Sequence, residues 1–167
     1  MVHAAWRRGA ALVAAIVVAG ATLAAIEQRP MPAFEVVNAA GAATSSAAIG
    51  PGGKWILIYV TPECRSCQRL FTAMEEWNSA PLNAATVVLV QGDHAAVQAY
   101  ATDRLPAAVV GSRWYADASG AARRALALTG SPVVIGMRDQ QISWALAGVL
   151  NDPAALESAL RTWVERP

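Results

Sequence analysis

Charge is scarce in this chain of 167 residues: Asp, Glu, Lys and Arg make up 15% of it and the net charge is +1. So even a balance excludes the broad single-sign field with which a protein attracts nucleic acid or acidic partners. Histidine and cysteine are scarcer still, two of each. A structural zinc site takes four ligands, usually two cysteine pairs or one pair with two histidines. One of the two histidines, His3, precedes the long apolar run Gly9 to Ile26, so the set cannot be completed, and neither a metal nor an organic cofactor is called for. Internal repeats and long single-residue tracts are missing as well. The length leaves room for one domain of ordinary size and an appendage.

The appendage is N-terminal. Arg7 and Arg8 precede "GAALVAAIVVAGATLAAI", an uncharged run that ends at Glu27, Gln28, Arg29 and Pro30. Its length is just enough for a helix that spans a hydrocarbon core, and the basic flank places everything after Ile26 outside the cytoplasm. The run exceeds the usual core of a signal peptide, which favours an uncleaved anchor over residues 1–29. Cleavage at a small-x-small site such as Ala19-Gly20-Ala21 is the alternative. Both readings export residues 30–167 to a compartment where disulfide chemistry operates.

Within the exported part, Phe34 to Val37 reads as a short strand, followed by a turn at Asn38 to Gly41 and a loop to Lys54. "WILIYV", Trp55 to Val60, is the continuous β-branched run of a strand buried on both faces. Cys67, Leu70, Phe71, Met74 and Trp77 then share one face of a helix from Cys64 to about Asn78, and Pro81 closes that region. Strands are expected at Ala85 to Gln91 and, in short form, at Ala107 to Val110, with helices at His94 to Thr102 and Ala118 to Leu128. Pro132 to Met137 and Ile142 to Gly148 flank a polar turn as a hairpin would, and Asp152-Pro153 opens a last helix. Trp55, Trp77, Trp144 and Trp163 fall on apolar faces and are assigned to the core. Trp114-Tyr115 falls with Arg113 in a loop that could meet a partner. The class is α/β, with a mixed central sheet between helices.

The two cysteines form one C-x-x-C, Cys64 and Cys67. A purely structural bridge across two residues constrains the unfolded chain little. Copper handling would use both thiolates with His94, an alternative that stays open. The pair follows a buried strand and opens a helix, which favours redox exchange. Cys64 then lies at the helix N-terminus, where free amides and the dipole stabilise a thiolate, and Cys67 faces the core as the resolving thiol. Arg65 lowers the pKa of Cys64 and Glu63 raises it. Ser66 is a neutral spacer, and Thr61-Pro62 shapes the turn.

Buried strand, C-x-x-C, amphipathic helix and a distant "TGSPVVI" leading into a hairpin and last helix resemble the thioredoxin superfamily over about Phe34 to Val164. The resemblance implies a thioredoxin fold, with a cis-proline at Pro132 that brings the Ser131 backbone beside Cys64 for strand-like pairing with a substrate. "MPAFEVVNAAGAATS" is similar to the opening of TlpA-type domains, which are membrane-anchored exported thioredoxins. "IYVTPECRSCQRLFTAMEEWN" looks more like the DsbC-type isomerases. Two positions depart from the family: Glu63 stands where thioredoxins have Trp, and Ile58 takes the place of their buried acid.

These features imply a thiol–disulfide oxidoreductase on a single-pass anchor in a bacterial inner membrane, with its catalytic domain in the periplasm. The partners implied are protein thiols and disulfides together with a membrane or soluble thiol donor or acceptor, and the chain is expected to act as a monomer. A thioredoxin-fold module that only binds protein at Ser131-Pro132 is the other reading.

Overall fold

A computed structural model of the chain describes residues 28–107, 113–148 and 152–166. In chain order its elements are β1 (Arg29–Pro30), β2 (Glu35–Asn38), β3 (Ala43–Ser45), β4 (Lys54–Val60), α1 (Arg65–Trp77), α2 (Ala80–Ala84), β5 (Thr86–Gln91), α3 (His94–Arg104), β6 (Trp114–Asp117), α4 (Ala121–Ala125), β7 (Val133–Arg138), β8 (Gln141–Ala147) and α5 (Pro153–Glu165). The strands form one mixed sheet in the order β1-β8-β7-β4-β5-β6-β2-β3. The pairs β4–β5 and β5–β6 are parallel, and β4–β7, β7–β8 and β1–β8 are antiparallel.

The run Trp55 to Val60 is apolar throughout because β4 is covered on both faces. Ile56, Ile58 and Val60 point toward α1, α3 and α5, where they meet Cys67, Phe71, Val97 and Leu160. Trp55, Leu57 and Tyr59 point the other way, toward Ile49, Ala122, Leu126 and Met137. Strand alternation thus divides one six-residue run between two cores.

Several expectations need correction. The segment assigned to a loop before Lys54 contains β3 and a 3-10 turn at Ser46–Ala48. Pro81 does not close a helical region but sits in the first turn of α2, where its missing N–H costs nothing. The helix expected over Ala118 to Leu128 shrinks to Ala121–Ala125. Its start is fixed by Asp117, whose carboxylate accepts from the Ala122 and Arg123 amides, and Ala127 turns left-handed at φ 55° just beyond its end. Trp114-Tyr115 is no loop surface: it belongs to β6, and Trp114 is buried against the His94 ring. Trp55 is in the core, whereas Trp77, Trp144 and Trp163 are half-buried and pack along its margin.

Of the strand expected at Ala107 to Val110, only Ala107 is described. The anchor expected over residues 1–29 lies outside the described residues except for Gln28 and Arg29, and Arg29 already pairs in β1. Among the described residues no helix is long and apolar enough to cross a membrane.

Two local constraints yield predictions. Gly136 lies across from Trp144, and a Cβ there would come within 2.1 Å of the indole. Gly136→Ala therefore displaces the ring and should lower stability by ~1–3 kcal/mol in urea unfolding. Adding Trp144→Leu should recover part of the loss; a neutral single variant would show that the ring yields freely.

Tyr59 is fully buried and its hydroxyl donates to the buried Asp117 carboxylate at 3.2 Å. Burial, and then that carboxylate, raise the Tyr59 pKa well above the usual phenol value. The neutral phenol's share of stability is whole below the unfolded-state pKa of about 10 and is lost as pH climbs beyond it. Tyr59→Phe should cost ~1–2 kcal/mol at neutral pH and make the alkaline loss shallower. Tyr100 and Tyr115, also shifted up by burial, preserve the remainder of that slope.

Candidate functional site

β4 ends at Val60 and delivers Thr61 to Cys64 at the C-terminal end of the sheet. The turn closes with the Cys64 amide donating to the Thr61 carbonyl at 3.1 Å. Cys64 is the N-cap of α1: its Sγ accepts from the Cys67 amide at 3.1 Å. This bond occupies one of the four amides that a helix start leaves free. Asn78 ends α1 in the left-handed conformation, φ 43°, a role that asparagine tolerates better than most residues.

Cys64 and Cys67 are joined as a disulfide, with their Cα atoms 5.3 Å apart. Cys67 has no exposed surface and packs with Leu70 and Phe71, whereas Cys64 is half-buried. A nucleophile from outside can therefore reach the Cys64 sulfur and not that of Cys67. Glu63 and Arg65 are exposed on either side of Cys64. Ser66 is half-buried and accepts from the Arg69 guanidinium at 3.5 Å.

The second half of the site comes from the segment before β7. The Ser131–Pro132 peptide bond is cis. Tyr59 pairs with Val133, so Thr61 and Ser131 extend the same two neighbouring strands. Their hydroxyls lie 3.1 Å apart, in hydrogen-bonding contact. Sequence reasoning assigned Thr61 to the turn alone and missed this link. The only signal for it was a pair of hydroxyl residues at the ends of two strands whose register was not yet known. Beside Pro132 opens a groove of ≈190 Å³ between α1, β8 and α5, lined among others by Arg69, Ala73, Trp77, Leu146 and Pro153. Leu146 is 38% exposed, which places a large apolar side chain in solvent beside the site.

Two other residues are accounted for. Ile58 lies in the cluster around Cys67 with no exposed surface, and among the described residues that cluster holds no buried acid. The buried carboxylate of Asp117 is on the far side of the sheet, committed to Tyr59 and two amides. His94 contacts the Ala39 carbonyl at 3.3 Å, and its ring centre lies 5.6 Å from that of Trp114. Among the described residues no three or more His, Cys, Asp and Glu side chains gather as a metal site would require.

No protein-family model matches the chain. No curated protein matches it either. Solved structures do. A secreted Mycobacterium tuberculosis disulfide oxidoreductase homologous to E. coli DsbE superposes with a TM-score of 0.59 at 17% identity, over 77% of this chain and 95% of that one. A thioredoxin-like protein from Porphyromonas gingivalis gives 0.63 at 18%, over 81% and 92%. A thiol:disulfide interchange protein of the thioredoxin family from Chlorobium tepidum TLS gives 0.56 at 16%, over 82% and 97%. The described residues thus have a thioredoxin-like fold, with the chain's only two cysteines bridged at the start of α1.

Proposed function

We propose that the protein is a thiol–disulfide oxidoreductase of the periplasm, tethered to the inner membrane by residues 9–26 and exchanging disulfides with protein partners. One observation carries the reading: a C-x-x-C disulfide whose outer sulfur alone is accessible, standing at a helix N-terminus on the same sheet end as a cis Ser131–Pro132 bond. The structural neighbours, two of them named for disulfide chemistry, and the TlpA-like opening of the sequence support it.

In the oxidised state a partner thiolate attacks Cys64 Sγ. The Cys64–Cys67 bond breaks, Cys67 leaves as thiolate, and a mixed disulfide joins Cys64 to the partner. A second partner thiolate then attacks its own mixed-disulfide sulfur. The partner departs oxidised, and both cysteines hold the electron pair. The reverse sequence passes two electrons to a partner disulfide, with Cys64 as nucleophile and Cys67 as the resolving thiol. The Ser131 backbone, just before β7, offers strand-like pairing to the partner segment, and the groove beside Pro132 takes its side chains.

Cys64→Ser should abolish insulin reduction. Cys67→Ser should instead trap partners as mixed disulfides that dithiothreitol releases. Unchanged reduction in both variants would leave only the binding-module reading. The reduction potential then fixes direction: ≈ −270 mV marks a reductant and ≈ −120 mV an oxidant.

Thr61 supplies a sharper test of the two-part site. Its carbonyl holds the Cys64 amide and its hydroxyl meets Ser131, so it positions the docking edge against the sulfur. Thr61→Val keeps the shape and removes the link. KM for a protein disulfide should rise several-fold, while the rate with a small aromatic disulfide stays the same. Thr61→Ser should restore KM. Equal losses on both substrates would mean that Thr61 acts on the sulfur rather than on docking.

A further inference from the structure

Ser131 is held from two directions, and Thr61 accounts for only one of them. The chain reaches Ser131 from α4, by way of Ala127, Leu128, Thr129 and Gly130. Ala127 is left-handed at φ 55°, a region alanine enters at a cost because its Cβ crowds a carbonyl oxygen. A reciprocal pair of bonds closes the turn around it. The Leu128 amide donates to the Arg123 carbonyl at 2.9 Å, and Arg123 Nε donates back to the Leu128 carbonyl at 3.3 Å. A second arm of the same guanidinium, Nη1, donates to Gln91 Oε1 at 3.1 Å.

Gln91 is the last residue of β5, which runs parallel to β4 and stops at the same end of the sheet. Its Oε1 lies 3.5 Å from the Tyr59 hydroxyl. Asp117 pairs with Gln91 across β6, and its carboxylate accepts from the Arg123 amide at 3.0 Å. Arg123 is thus pinned to the ends of two strands, by its backbone and by its side chain. From there it grips the chain at Leu128, three residues before Ser131. A guanidinium suits this task. Its donors point in fixed directions, so it holds two acceptors on different elements at one spacing, and half-burial shelters the bonds from competing water.

We infer that Arg123, anchored by Gln91, is a positioning residue for partner docking: it fixes where the Ser131 backbone stands beside Cys64. A shift at Leu128 has only Thr129 and Gly130 to absorb it before Ser131, and the Thr61 hydroxyl then holds that residue alone. α4 packs with Tyr59 on one face of the sheet, while Cys67 packs on the other. The link therefore bears on docking and not on the sulfurs. The inference rests on the docking role read for Ser131 above, and requires nothing of residues 9–26.

The test uses the full chain with insulin and with a small aromatic disulfide. Arg123→Met keeps the aliphatic stem and removes the fork. KM for insulin should rise several-fold, while the rate on the small disulfide and the reduction potential of the cysteine pair stay the same. Gln91→Leu cuts the far end of the same link and should raise KM alike. The double variant should be no worse than either single one, because both remove one interaction. Arg123→Lys, without a fork to span both acceptors, should fall between Met and the parent. If Arg123→Met does not fold, Gln91→Leu and Arg123→Lys carry the comparison. Hydrogen exchange reads the link directly: amides of residues 127–131 should exchange several-fold faster in Arg123→Met, with residues 61–67 unchanged. Faster exchange with unchanged KM overturns the proposal and leaves Arg123 a structural tie. Additive effects of the two substitutions, or an equal loss on the small disulfide, overturn it as well. Thr61→Val separates this inference from the reading beneath it. A raised KM there but not in Arg123→Met sinks the Arg123 link alone, whereas an unchanged KM in both sinks docking at Ser131 itself.

Discussion

Everything in this molecule hangs on β4 being covered on both faces. Six apolar residues in succession, Trp55 to Val60, fix its register against β5 on one side and β7 on the other. A slip of one residue would exchange Ile56, Ile58 and Val60 with Trp55, Leu57 and Tyr59, overfilling one core with the larger set and leaving cavities in the other. Because β4 cannot slip, Thr61 emerges at a defined height and Cys64 three residues later. The Tyr59–Val133 pairing brings Ser131 to the same height from the other direction. The two halves of the candidate site are 67 residues apart in sequence, yet one strand's burial aligns both.

Much of this was legible in the sequence. Strong periodicity located α1 almost to the residue, because Cys64 and Asn78 are end residues for reasons of local chemistry. Asp152-Pro153 marked α5 equally well: the aspartate accepts from the amides of Ala154 and Ala155. The hairpin after Pro132 was readable too, and Asp139 and Gln140 take the positive φ that its tight turn demands. Failures came where tertiary partners replace local signals. β6 has four residues, and "RWYAD" shows neither alternation nor a flanking turn that separates it from a loop. The short α4 owes its start to the Asp117 side chain, which no helical period reveals. β3 exists because β2 gives it an edge to pair with. Within the site, residue identities were readable but the Thr61–Ser131 contact was not, since it depends on register.

The site also shows how the fold keeps its chemistry apart from its stabilising network. The buried carboxylate of Asp117 is consumed by Tyr59 and the start of α4, across the sheet from Cys67. Around Cys67 the described cluster is apolar, and Ile58 belongs to it. Among the described residues, a proton bound for Cys67 has no buried carboxyl to pass through. It must come from solvent once the disulfide opens, or from the incoming partner thiol. Such a site depends on the leaving thiolate being stable, not on a base to make it reactive.

The balance of charges around Cys64 follows from burial. Glu63 and Arg65 have opposite signs and are both exposed, so water and salt screen each of them, and exposed pairs are worth ~0–1 kcal/mol. The N-terminus of a helix acts differently. Its amides are fixed, one of them already points at Cys64 Sγ, and its effect on a partly buried group reaches ~2 kcal/mol. The helix end therefore outweighs the two flanking charges in setting the stability of the Cys64 thiolate. Stabilising that thiolate favours the reduced pair and makes the disulfide a stronger electron acceptor. What remains of Glu63 and Arg65 is their position, as exposed charges on the rim around Cys64.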